Sequence, residues 1–282
     1  MAKVYDALKR AEEERKRRAG DDGSPVVPLD VSPAPAPKSQ RPSVWKRLFT
    51  RRSRQRAEPG GGAEVNKRRI ALIQPDSYVA EQFRALRGRI DAIAAERRIR
   101  TVVVTSAFPG EGKTTASVNL AAVTSLSVGC RVLLVDCDLR KPKVHGSLGL
   151  RPRSGLAEVL QGEATFEDAV MRVDGAAFDV LPVRSRPTNP SELLGSSEMR
   201  KLIDEVSEKY DRVILDSPAA LGLPDVKAIS EISDGIVIVV RADFTSQQEV
   251  ENLLEILGRD RVLGLVLNGA SIDQARYGYA ST

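Results

Sequence analysis

The sequence is poor in the residue types that build metal centres, disulfide frameworks and membrane spans. It has two cysteines, one histidine and one tryptophan among 282 residues, and 4% aromatic side chains overall. Cys130 and Cys137 provide neither a disulfide framework nor a metal-ligand spacing. They flank an apolar run and read as small core residues, which suits a reducing cytoplasm. The lone His145 follows a charged segment and reads as a satisfied or solvated side chain, not a ligand. No apolar run approaches the ~18 residues that cross a bilayer. The N-terminus lacks the apolar region of a signal peptide. The chain is therefore expected to be soluble, or held at a membrane by something else.

Charge is unevenly spread. The net charge is +5, but before Pro59 there are 15 Lys and Arg against 8 Asp and Glu, whereas the remainder holds 28 against 30. The basic excess belongs to the N-terminal tail and the rest is near neutral, which argues against nucleic-acid binding by the core.

The most informative stretch is Ser106-Ala-Phe-Pro-Gly-Glu-Gly-Lys-Thr-Thr115. It follows the β-branched run Thr101 to Thr105 and precedes a segment with helical spacing, Ala116 to Leu126. A strand, a glycine turn and a helix form the context of a phosphate-binding P-loop. Gly110 and Gly112 can adopt backbone angles closed to other residues, so that successive N–H groups can point at one anion. The helix that begins near Lys113 adds its positive end. Lys113 can reach the β- and γ-phosphates, and Thr114 offers a hydroxyl to Mg²⁺. The usual pattern has glycine where Ala107 stands, a small substitution that still permits the turn. Residues Pro109, Gly110, Glu111, Gly112, Lys113, Thr114 and Thr115 are the expected nucleotide-binding set.

Around this loop the chain alternates strands and helices. Residues 3 to 18 have a two-turn apolar stripe (Val4, Tyr5, Leu8, Ala11), too short to hold a free helix in water; it is either a helix with a partner surface or a frayed tail. Pro33 to Pro37 reads as extended linker. Lys38 to Arg56 carries eight basic and no acidic residues around Val44, Trp45, Leu48 and Phe49. That pattern fits an anionic membrane surface, with nucleic acid as the competing reading. Glu58 to Ala63 is a glycine joint. Asp76 to Glu96 spaces Val79, Phe83, Leu86, Ile90 and Ile93 as a helical core stripe, beside Glu81, Arg84 and Arg87 at i, i+3 and i+6. Arg131 to Pro142 reads as a buried strand ending in Asp136 and Asp138; at the C-terminal end of a parallel strand both carboxylates would face the ligand crevice. A strand from Phe178 to Val183 and a helix from Ser191 to about Tyr210 follow. Asp211 to Pro218 is an apolar strand ending in Asp216, the form of a Walker B segment. Strands Gly235 to Val240 and Arg261 to Asn268 flank a helix from Ser246 to Leu257. The expected fold is α/β, a mostly parallel sheet with helices on both faces. The expected organisation is an N-terminal extension (1–65), a P-loop domain (66–270) and a tail (271–282) presenting Tyr277 and Tyr279.

Taken together, these segments make residues 66 to 282 resemble the bacterial tyrosine kinases (BY-kinases) of capsule and exopolysaccharide synthesis, P-loop proteins related to the MinD/ParA ATPases. Ser106 to Thr115 is similar to their Walker A, Val135-Asp-Cys-Asp-Leu-Arg-Lys-Pro142 to their second motif, Walker A′, and Ile214-Leu-Asp-Ser-Pro218 to their Walker B. Glu81, Arg84 and Arg87 match the E-x-x-R-x-x-R helix of ring-like self-association, and Asn189-Pro-Ser-Glu-Leu-Leu194 is similar to a further family segment. The second lysine that ParA-type ATPases carry early in the P-loop is absent here. The resemblance implies ATP and Mg²⁺ as ligands, with Thr114, Asp136 and Asp216 holding the metal directly or through water. It implies that Lys113 stabilises the transferring phosphoryl group, and that Asp136 or Asp138 accepts the tyrosine proton or orients the hydroxyl. Arg140 would support the carboxylates or the phosphates. Phosphorylation is expected on Tyr277 and Tyr279, a sparse version of the family's tyrosine-rich tail, between neighbours of a homo-oligomer. No transmembrane sensor is fused to the domain, so a separate membrane activator is implied, with the chain at the inner face of the cell membrane. The alternatives are a MinD/ParA-like ATPase switch and a nucleotide-binding scaffold without kinase activity.

Overall fold

Three segments built on runs of β-branched and aliphatic residues, Thr101–Thr105, Val132–Val135 and Val213–Leu215, have no polar alternation. Such runs suit strands covered on both faces, as in parallel sheets. In the computed structural model, which describes residues 70–173 and 176–270, these are β1 (Thr101–Ser106), β2 (Val132–Asp136) and β5 (Arg212–Ala219), and all of their residues are buried. They lie in a seven-stranded sheet of order β3-β4-β2-β5-β1-β6-β7, completed by β3 (Met171–Arg172), β4 (Phe178–Leu181), β6 (Gly235–Arg241) and β7 (Val262–Asn268). Every pairing is parallel except β3 with β4. The expected α/β class and two-sided sheet are therefore observed.

Side chains alternate along each central strand between two cores. Val103, Leu133, Val135, Val213 and Leu215 enter one, and Val102, Val104, Val132, Leu134 and Ile214 enter the other. On the second face lie α1 (Ile70–Ile73), α2 (Tyr78–Glu96), α3 (Lys113–Ser125) and α4 (Val144–Leu148). On the first lie α5 (Leu156–Leu160), α6 (Phe166–Ala169), α7 (Pro190–Leu194), α8 (Ser197–Lys209), α9 (Asp225–Glu231) and α10 (Gln247–Leu257). Helix α3 is the most enclosed: only Thr114 and Thr115 of its 13 residues escape burial. Its Asn119 accepts the Ala71 N–H at 2.8 Å, which ties α1 to the core. Helix α10 opens with a full capping box, Ser246 and Glu249.

Two local expectations change. The helix expected from Ser191 to Tyr210 is two helices, because Ser196 breaks the run by capping α8 through the Met199 N–H. In α2, Val79 is exposed and its neighbour Ala80 takes the core position; Ile90 is buried while Phe83, Leu86 and Ile93 are half-buried against the same core. The N-terminal segments 3–18 and 38–56, and the tail with Tyr277 and Tyr279, lie outside the described residues.

Candidate functional site

Strand order places the motifs. β1 sits between β5 and β6, and β2 lies on the far side of β5, so the C-terminal ends of β1, β2 and β5 open on one edge of the sheet. Asp136 and Asp216 are directly paired across β2 and β5, and Ser106 pairs with Ala219 across β1 and β5. The crevice outside the strand ends, where the order reverses, is where such sheets bind ligands.

The loop itself is built on backbone geometry. Gly110 and Gly112 have φ of 89° and 99°, which a side chain resists. Gly112 immediately precedes α3, and Lys113 opens the helix with only 7% of its surface exposed. One turn on, the Ser117 hydroxyl reaches the Lys113 carbonyl at 3.0 Å and Asp216 Oδ1 at 2.9 Å. Asp216 is fully buried, and its Oδ2 has no hydrogen-bond partner. Burial raises its pKa to about 6, although the Lys113 charge and the Thr114 and Ser117 hydroxyls pull it back. Asp136 is also fully buried, and burial followed by the nearby Asp216 charge raises its carboxyl well above the usual range. Its Oδ1 accepts the Asp138 N–H at 3.2 Å and its Oδ2 the Val144 N–H at 3.1 Å. Asp138 accepts the Lys141 N–H at 2.9 Å.

Lys113, Thr114 and Asp138 border a cleft of about 400 Å³, with Asp136 and Asp216 buried behind it. It is lined by Pro109, Gly110, Gly112, Lys113, Thr114 and Thr115 of the loop, by Asp138, Arg140, Lys141 and Lys143 after β2, and by Pro218, Ala219 and Leu223 after Asp216. Lys113, Lys141 and Lys143 against the single carboxylate of Asp138 suit a polyphosphate, the Arg140 charge being matched by Asp225. A divalent cation also fits. An orphaned carboxylate oxygen and two buried acids of raised pKa lie beside Thr114, and hard oxygen donors of this kind suit Mg²⁺. Among the described residues no three His, Cys, Asp or Glu side chains converge on one point. Phosphate oxygens, Thr114 and water would complete the coordination.

The structure brings together Lys113, Thr114, Asp136, Asp138 and Asp216. The Glu111 side chain does not line the cleft; it turns inward and is fully buried. Glu81 and Arg84 form an ion pair on α2, away from the cleft, and Arg87 donates to the Val123 carbonyl of α3 at 2.7 Å. Arg140 reaches across the crevice to the buried Asp225 at the start of α9 (Nε to Oδ2, 2.7 Å) and to Ser191 of α7 (2.8 Å); Ser191 itself donates to Asp225 at 2.6 Å. The sequence offers no spacing that pairs Arg140 with a residue 85 positions on. The only hint was Ser191's place in the Asn189 to Leu194 segment.

Comparison with known proteins agrees with this geometry. A family model described as "AAA domain" matches residues 99–261. The tyrosine-protein kinase YwqD of Bacillus subtilis (strain 168) is 36% identical over 224 residues, which span 78% of this chain and 94% of YwqD. The crystal structure of the chimerical protein CapA2B2 superposes with a TM-score of 0.69 at 32% identity, covering 73% of this chain and 91% of that one. The kinase domain of the Escherichia coli tyrosine kinase ETK superposes at 0.67 and 29% identity, over 76% and 84% of the two chains. The P-loop, the paired aspartates and these similarities together identify the chain as a member of the bacterial tyrosine-kinase family.

Proposed function

We propose that this chain is an ATP-dependent protein-tyrosine autokinase that acts in capsule or exopolysaccharide assembly. The observation that carries the reading is that Asp138 lines the same cleft as Lys113 and Thr114 of the phosphate-binding loop, in a chain of this family. ATP lies with its phosphates along the Pro109–Thr115 loop. Lys113 and the positive end of α3 stabilise charge on the transferring group. Thr114, Asp136 and Asp216 would hold Mg²⁺, directly or through water, and the bound ion would supply neutralisation of phosphate charge. Asp138 takes the proton of the acceptor tyrosine hydroxyl as its oxygen bonds to the γ-phosphorus and the bond to ADP breaks. The choice between the two carboxylates follows from access. Asp136 is sealed in, with both oxygens engaged by backbone N–H groups, whereas Asp138 borders the cleft. Arg140, fixed by Asp225 and Ser191, positions the segment that carries Asp138.

The acceptors are Tyr277 and Tyr279, and neighbours associate through Glu81, Arg84 and Arg87. No helix among the described residues is long and apolar enough to cross a membrane. Attachment to the inner face of the membrane is assigned to a separate membrane activator, helped by the basic 38–56 segment. The test is incubation of the full chain with Mg·ATP, with and without a candidate activator, followed by phosphopeptide mapping. Phosphate on Tyr277 or Tyr279 that disappears in Asp138→Asn, with Mg·ATP binding retained, supports the reading. ATP hydrolysis without phosphotyrosine under both conditions would replace it with an ATPase switch.

A further inference from the structure

Glu111 lies inside the phosphate-binding loop, yet its carboxylate points away from the phosphates. It is fully buried, and each of its contacts is a donor. Oε2 accepts the Phe108 N–H of the same loop at 2.5 Å. Oε1 accepts the Arg241 N–H at 3.3 Å, at the end of β6, and the Thr245 hydroxyl, in the turn before α10. The Glu111 main chain is held from the same side: its carbonyl accepts the Asn268 side-chain amide at 2.8 Å, at the end of β7. Asn268 in turn takes the Ala242 N–H on its carbonyl at 2.8 Å. The packing is close enough that a Cβ on Gly112 would meet Asn268 Nδ2 at 2.2 Å. The outer rim is aromatic. The Phe108 and Phe244 rings meet edge to face at 6.0 Å, and the Arg241 guanidinium lies 5.5 Å from the Phe244 centroid.

A loop that presents N–H groups to an anion binds best when those groups are already aimed, because ordering them at the moment of binding costs free energy. Glycines at 110 and 112 make this loop intrinsically loose. A buried carboxylate with three donors removes that freedom from behind, and it does so with charge-assisted hydrogen bonds, the stronger kind. Thr245 supplies the only hydroxyl among those donors, and it comes from a part of the chain that forms no wall of the cleft.

We infer that Glu111 and Thr245 are positioning residues: together they latch the phosphate-binding loop to the ends of β6 and β7 and thereby set the affinity for ATP. This inference rests on the nucleotide-binding half of the proposed function and not on the phosphoryl-transfer half.

The test measures Mg·ATP binding to the full chain by calorimetry, together with KM for ATP and kcat for phosphotyrosine formation. The chains compared are the unchanged protein, Thr245→Val, Thr245→Ser, Glu111→Gln and the Glu111→Gln/Thr245→Val pair. Thr245→Val is expected to weaken ATP binding about tenfold, the scale of one lost hydrogen bond to a charged group. KM rises in step while kcat at saturating ATP stays close to that of the unchanged chain. Thr245→Ser, which keeps the hydroxyl, restores binding to within about twofold. The pair is expected to lose less than the sum of the two single variants, because the Glu111–Thr245 hydrogen bond is common to both substitutions. An unchanged Kd in Thr245→Val with a lowered thermal midpoint would make the contact merely structural and overturn the inference, as would fully additive losses in the pair. An unchanged chain that binds Mg·ATP but forms no phosphotyrosine defeats the kinase reading and leaves the latch to be judged on binding alone. An unchanged chain that fails to bind Mg·ATP overturns both.

Discussion

Asp216→Asn should make the metal-free protein more stable while abolishing its function. Asp216 is fully buried, Oδ2 has no donor, and Asp136 is paired with it across the strands. Burial lifts its pKa from 3.8 to about 6. Below pH ~4 the group is protonated in both folded and unfolded chains, so it carries no penalty. Between pH ~4 and about 6 the unfolded chain ionises while the buried acid keeps its proton, so stability falls across that window and levels off above it. A shift of that size corresponds to about 3 kcal/mol above pH 7, to order of magnitude. Asparagine keeps an acceptor for the Ser117 hydroxyl and removes the charge, at nearly constant volume. In EDTA at pH 8 the variant should therefore melt roughly 5–10 °C higher than the unchanged chain. The gain should shrink as pH falls and vanish near pH 4. With Mg·ADP at about a hundred times its Kd the unchanged chain should gain on the order of 2.7 kcal/mol, and the variant little. The assay is thermal unfolding across pH with and without Mg·ADP. A lower midpoint for Asp216→Asn in EDTA at pH 8, or the same gain at both ends of the pH range, would refute the reasoning.

Further substitutions test other parts of the chain. Gly112→Ala forces an L-residue to φ 99° at about 1–2 kcal/mol and drives its Cβ into Asn268; ATP affinity should fall at least tenfold, and Asn268→Ala in the same chain should recover only the steric part, read by calorimetry. Arg140→Ala frees the buried Asp225 from its ion pair; it should lower the thermal midpoint, and kcat should fall more than ATP binding. Arg84→Ala should reduce self-association in light scattering with little change in thermal midpoint, whereas Arg87→Ala should also lose about 1 kcal/mol of stability through its bond to the Val123 carbonyl.

Much of the site was legible because it is local. The P-loop occupies ten consecutive residues whose types are dictated by backbone angle and phosphate chemistry. Asp136 ends β2, Asp138 follows it and Asp216 lies in β5, which continues to Ala219 where the sequence suggested a strand end; in a parallel sheet the C-terminal ends converge. The alternation of runs and helical stripes likewise specified the layers. What escaped reading is what the tertiary structure makes. Glu111 sits within the loop motif and reads as a ligand residue, but its side chain belongs to a contact with Thr245, 134 positions on. Arg140 reads as a cation beside the phosphates and instead spends its guanidinium on Asp225 and Ser191. The division of labour between Asp136 and Asp138 depends on which side chain borders open space, and a strand-end pattern holds no such information. The break between α7 and α8 was missed for a smaller reason: a single serine cap outcompeted a continuous helical pattern.

The most direct measurement is phosphopeptide mass spectrometry of the full chain after incubation with Mg·ATP and a candidate membrane activator, beside the Lys113→Met variant. The account predicts phosphate on Tyr277 or Tyr279 in the unchanged chain and none in Lys113→Met. Equal phosphorylation of the two chains would contradict the site, and ATP turnover without any phosphotyrosine would contradict the kinase reading.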